Sequence, residues 1–213
     1  MNRFLFLTLL IIGFSAGCGP QEAPKGTSDK GVAPLRPWKL ICLGGSSTIG
    51  EDIPPGQAYP AQLEERLQQQ IDQAIKVVNA GIRGETIEGA GLRLSWILQQ
   101  RLDAFLLALG EEVVDQQLPE KQARQLWENI FKTLRRAYPE IPIFILPLQS
   151  PNELSPWWRD AKEAYELIIL RPNWPLIVGN ARPTMEVWSA EDQAAVAAWL
   201  ADELHHWPIQ YDQ

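Results

Sequence analysis

Histidine is nearly missing from this chain. Of 213 residues only two are His, side by side at positions 205 and 206. No imidazole is therefore available as a base anywhere in the first 204 residues. Cysteine is equally scarce. With Cys18 and Cys42 alone, neither a disulfide framework nor a Cys/His metal cluster can be assembled. Basic charge is short too: 19 Lys and Arg stand against 26 Asp and Glu, a net charge of −7. That balance argues against a nucleic-acid partner or a polybasic membrane contact. No internal repeat is visible. Carboxylates at these spacings are a weak sign of a divalent ion, so neither a metal nor a cofactor is expected.

Long hydrophobic runs are also rare. The exception is residues 4–14, broken only by Thr8 and Gly13, after a short start carrying Arg3. This run is too short to span a bilayer as a permanent helix and reads as an export signal over residues 1–17. Ser15, Ala16 and Gly17 precede Cys18. Small residues directly before a Cys resemble the bacterial lipobox, although Ser15 departs from the usual Leu. The resemblance implies that Cys18 is lipidated and becomes the new N-terminus; simple signal cleavage, leaving Cys18 free, is the alternative. Acyl chains on Cys18 would hold the protein on a membrane of the bacterial envelope. By analogy with such lipoproteins, Gly19 rather than Asp after the Cys suits the periplasmic side of the outer membrane more than the inner membrane. Residues 18–36, rich in Pro, Gly, Lys, Ser and Asp, read as a flexible tether. The folded domain is expected over 37–213, with Cys42 as a small buried core residue.

Within that domain, apolar strands alternate with amphipathic helices. Strands are expected at 39–43, 75–79, 102–109, 141–148 and 174–178. Helices are expected around Leu63 and Leu67, around Leu94, over 119–137, within 151–169 and over 189–204. Ser189 with Asp192 three residues on resembles a capping box for the last helix. Short connections between alternating elements predict a mainly parallel sheet covered on both faces, a three-layer α/β/α sandwich of flavodoxin-like type. Functional loops then belong at the carboxyl ends of the strands.

The first strand runs into LICLGGSSTIG, delivering Ser46 on a Gly-Gly turn, which is the layout of a hydrolase nucleophile. The second strand runs into NAGIRGET, which carries Gly84. In this order along the chain, the two blocks resemble the SGNH/GDSL family of serine ester hydrolases. Its common first block reads Gly-Asp-Ser, and position 45 here is Gly. The resemblance implies that fold, with Ser46 as nucleophile and Gly84 as oxyanion donor.

Two family blocks are not kept. Where the family has Gly-x-Asn-Asp, this chain has Gly110, Glu111, Glu112 and Val113, so Glu112 occupies the place of the oxyanion Asn. An ionised carboxylate accepts and cannot donate, and it opposes the charge that develops on the substrate oxygen. Where the family has Asp-x-x-His, alignment on the last helix puts Met185 at the Asp and Trp188 at the His. Glu51, Glu85, Glu88, Glu111, Glu112, Asp115 and Glu186 all fall near the expected rim and are candidate substitute bases. The same acidic rim, with Glu85 and Glu111, suits a cationic or polyhydroxyl ligand. Trp157 and Trp158 serve either packing or a groove for acyl chains or sugars.

Two functions follow. One is a lipid-anchored, catalytically degenerate hydrolase fold that binds a small-molecule ester, lipid, glycan or partner protein at the envelope. The other is an active esterase, similar to lysophospholipases, thioesterases or deacetylases, using Ser46 with a base such as a loop Glu.

Overall fold

The computed structural model describes residues 36–148, 156–178 and 188–207. The export signal, Cys18, the tether up to residue 35, Met185 and Glu186 lie outside the described residues. Strand β1 (Trp38–Gly44) leads into the one-turn helix α1 (Ser46–Ile49), a short 3-10 turn at Pro55–Gln57 and α2 (Tyr59–Gln70). Then follow β2 (Ile75–Gly81), α3 (Ile87–Ile97), β3 (Ala104–Ala108), α4 (Val113–Gln116) and α5 (Glu120–Ala137). The chain continues through β4 (Ile143–Ile145), α6 (Trp157–Ala164), β5 (Leu167–Ile169), α7 (Trp174–Ile177) and α8 (Ala190–Leu204).

All strand pairs are parallel, in the order β2-β1-β3-β4-β5. The expected parallel α/β/α architecture is thus the one observed. In this order the strand sequence reverses between β1 and β3, and a crevice opens at their carboxyl ends. Gly44 pairs with Ala108 there, so the chain leaves both strands side by side with Ser46 and Glu111 a few residues on.

Period-two alternation in β1 divides the core. Leu40 and Cys42 pack with Tyr59, Leu63 and Leu67 of α2 and with Leu200 of α8. Ile41 and Leu43 face the other way, toward Leu94 of α3 and Phe131 and Leu134 of α5. β3 is buried along its whole length, as a central parallel strand must be. The capping box at α8 forms as expected: Asp192 N–H donates to Ser189 Oγ at 3.2 Å, and Ser189 N–H donates to Asp192 Oδ2 at 3.0 Å.

The fifth strand is displaced from the expected 174–178 to Leu167–Ile169. Pro175 has no N–H for a ladder and fixes a helical φ at the start of α7, so Trp174–Ile177 winds into a helical turn. The stretch Leu-Ile-Ile pairs instead with Ile143–Ile145. Pro142 and Pro147 likewise trim the expected 141–148 strand to its central residues.

Candidate active site

The Ser46 turn is built by close approach. A side chain at Gly44 would strike Thr48 Oγ1 and the Ala108 carbonyl. Gly45 then accepts Thr48 N–H and Ile49 N–H on its carbonyl at 3.1 and 3.0 Å. Ser46 thereby opens α1 and stays half-exposed at the crevice. Its Oγ accepts the Gly84 N–H at 3.2 Å. Gly84 sits at φ +68°, a left-handed conformation costly for any residue with a Cβ. The two residues that the first and second blocks single out do meet.

A side chain not singled out by the sequence pattern braces the turn from behind. Gln193, fully buried in α8, donates from Nε2 to the Ser47 carbonyl at 2.9 Å and accepts Tyr59 N–H on Oε1 at 2.7 Å. Tyr59 and Thr48 share a buried hydrogen bond at 3.1 Å. Burial pushes both the Tyr59 phenol and the neighbouring Cys42 thiol up, so both are neutral near pH 7. A lone amide in the Ala-rich run of α8 was the available signal for Gln193.

The carboxylate that reaches this turn belongs to Glu111. After β3 the chain turns through Gly110 at φ +93°, and Glu111 folds back over Gly45. Its Oε1 occupies the space a Cβ at position 45 would take. Ser47 N–H donates to its two oxygens at 3.2 and 3.3 Å. Burial raises the Glu111 pKa, with the Ser47 and Ser46 amides working against that rise. The common Gly-Asp-Ser turn carries an acid at position 45; here the acid comes from position 111 and the glycine makes room for it. Glu112, placed by alignment at the oxyanion Asn, is half-buried and uses its carbonyl to start α4, accepting Asp115 N–H at 3.0 Å and Gln116 N–H at 3.1 Å.

Three of the other acidic candidates are engaged elsewhere. Glu85 is buried against Arg93, whose guanidinium also donates to the Ala80 carbonyl at 2.7 Å. Glu51 pairs with Arg83 at 2.6 Å. Glu88 lies exposed in the first turn of α3. Asp115 accepts Ile87 N–H at 3.0 Å, holding the start of α3.

Burial, with Glu112 and Glu85 adding like charge, raises the Asp115 pKa from an ordinary 3.8 to about 6, against the pull of the Ile87 amide. A carboxyl with a raised native pKa binds its proton more tightly folded than unfolded. It therefore subtracts stability as pH climbs from about 4 through about 6. Asp115→Asn is expected to be more stable than wild type above pH 6, with the gap closing near pH 4. Urea unfolding at a series of pH values measures that gap.

Trp188, at the place of the family His, is 1% exposed. Its ring lies 6.1 Å from Tyr59 and 5.5 Å from Trp174, and its Nε1 has no partner among the described residues. An indole carries no titratable base at this place. His205 and His206 follow the far end of α8, about 22 Å from its start at 1.5 Å per residue. Trp157 and Trp158 stack at 4.6 Å and line a cavity of about 220 Å³ between the β3 and β4 ends. Among the described residues, no group of His, Cys, Asp and Glu is arranged to hold a metal ion.

On this α/β fold Ser46 thus stands at the switch point of a parallel sheet with the Gly84 N–H on its hydroxyl. The sequence matches the GDSL-like lipase/acylhydrolase family over residues 42–207, and the chain belongs to that family. Comparison with curated protein sequences finds no match. Among solved structures, it is similar to the psychrotrophic esterase EstA from a Pseudoalteromonas species, with TM-score 0.63 and 18% identity over 81% of this chain and 99% of that one. AlinE4, an SGNH-hydrolase family esterase, gives 0.59 and 18% over 79% and 95%. A G-D-S-L family lipolytic protein from Veillonella parvula gives 0.55 and 17% over 78% and 97%. At such identities the likeness is one of fold.

Proposed function

We propose that this chain is a catalytically degenerate hydrolase fold, anchored through Cys18 in the bacterial envelope and serving there as a binding module for a small ester, lipid, glycan or partner protein. One observation carries the reading: the place of the family His is filled by Trp188, buried in the core, and the chain has no His before His205. The place of the oxyanion Asn is held by Glu112, and an ionised carboxylate accepts rather than donates and opposes the developing charge. Loss of one oxyanion donor alone costs about 3–4 kcal/mol of barrier in hydrolases. The absence of an imidazole removes the usual route for the serine proton.

The retained contact between Gly84 N–H and Ser46 Oγ favours the second reading, an esterase with a carboxylate base. The two are separated by hydrolysis of short acyl and acetyl esters by the wild-type chain and Ser46→Ala. The binding-module reading expects both to match background across neutral pH; turnover that disappears with Ser46 refutes it. The anchor is tested separately. Wild type should partition into the detergent phase and Cys18→Ser should not; equal partitioning refutes the lipid.

A further inference from the structure

The cavity between the β3 and β4 ends has a composition that selects its ligand. One wall is aromatic: Trp157 stacks on Trp158 at 4.6 Å, and Trp158 meets Trp127 edge-on at 5.0 Å. The same lining holds Asp115, 8% exposed, and Glu120 on α5. No Lys, Arg or His is among the described residues that line it.

Such a lining is wrong for a fatty acid. Its carboxylate would enter a poorly hydrated space already holding like charge. It suits a positive charge on an apolar body, since ring faces attract cations, the more so when water is excluded, and a carboxylate supplies the counter-charge. We infer that this cavity binds a small organic cation, an ammonium group carried on an apolar or aromatic body. Neither Ser46 nor Gly84 lines it, so the inference does not depend on whether Ser46 reacts.

The groups facing Asp115 give the site a pH dependence. They are the Ile87 N–H at the start of α3, Glu112 ahead of α4, and Glu85 with its Arg93, while Glu120 of α5 lines the same cavity. Arg124 on α5 is turned to Glu128 at 2.8 Å. Cation binding strengthens as pH rises through about 6, where Asp115 ionises.

Three ligands that differ only in the end group provide the test: 2-phenylethylammonium, 2-phenylethanol and phenylacetate. Each is titrated by calorimetry into the full chain in non-ionic detergent at pH 7.5. The expected order is ammonium, alcohol, carboxylate, with about tenfold between the first two, a typical value for one desolvated charge contact. Asp115→Asn should bring the ammonium down to the affinity of the alcohol and leave the alcohol unchanged, which also shows that the cavity is intact. Trp158→Leu should weaken both. The inference is overturned if the alcohol or carboxylate binds as tightly as the ammonium. Ammonium affinity that survives Asp115→Asn, or no saturable ammonium binding at millimolar concentration, overturns it as well.

Discussion

Replacing Trp188 by alanine is expected to lower the thermal midpoint by about 10 °C. The ring is buried between Tyr59 and Trp174 within the core shared by β1, α2 and α8. Deleting a buried tryptophan costs about 3–5 kcal/mol through lost burial and the cavity left behind. In a chain of this size each kcal/mol moves the midpoint by about 2–4 °C. Trp188→Phe keeps part of the packing and removes an indole N–H that has no partner among the described residues, so its cost should fall clearly below that of Trp188→Ala. A tryptophan that merely rimmed an open site would cost about 0.5 kcal/mol or less on truncation. Calorimetric scans of the three proteins distinguish a plug in the core from a rim residue.

Gly45→Asp is expected to destabilise the fold by about 2–4 kcal/mol, the range for an overpacked buried site joined by an unpaired charge. Its Cβ meets the Glu111 carboxyl, and two acids then share one buried space. Glu111→Ala alone leaves the Ser47 amide without its acceptor, costing about 1–3 kcal/mol. Combined in one chain, the Asp can fill the vacated space, and the double variant should be more stable than the sum of the singles by about 1–3 kcal/mol. Urea unfolding of the four proteins closes this cycle. Strict additivity would show that the glycine at 45 and the acid at 111 have nothing to do with each other.

Much of this architecture is legible from the chain alone, and the illegible parts have definite physical causes. The Ser46 turn and the Gly84 turn stand out because close packing and a positive φ restrict those positions to glycine and small residues. The capping box of α8 is local and reads directly from Ser189 and Asp192. Which of two adjacent glutamates turns inward is another matter. Counting along the block selects Glu112, but the left-handed Gly110 rotates the chain so that Glu111 reaches the turn. Asp115 holds the start of α3 across 28 residues of sequence, and Gln193 reaches Tyr59 across 134. No periodicity encodes such pairings. The three-residue β5 is too short for alternation to reveal, while the longer apolar stretch from Trp174 imitates a strand until Pro175 is considered. Trp157 and Trp158, open between packing and ligand on sequence grounds, pack in the α5-side core, and each also lines the cavity.

The central claim is that Ser46 keeps its place in the family fold without being activated. The most direct test is stoichiometric labelling of the full chain by a fluorophosphonate at and above neutral pH, a fitting probe since the similar esterase EstA is inhibited by monoethylphosphonate. The expected result is a folded protein that takes up no label at Ser46. Labelling that approaches one per chain and disappears in Ser46→Ala would contradict it, and would mean that a base within this acidic rim activates the serine after all.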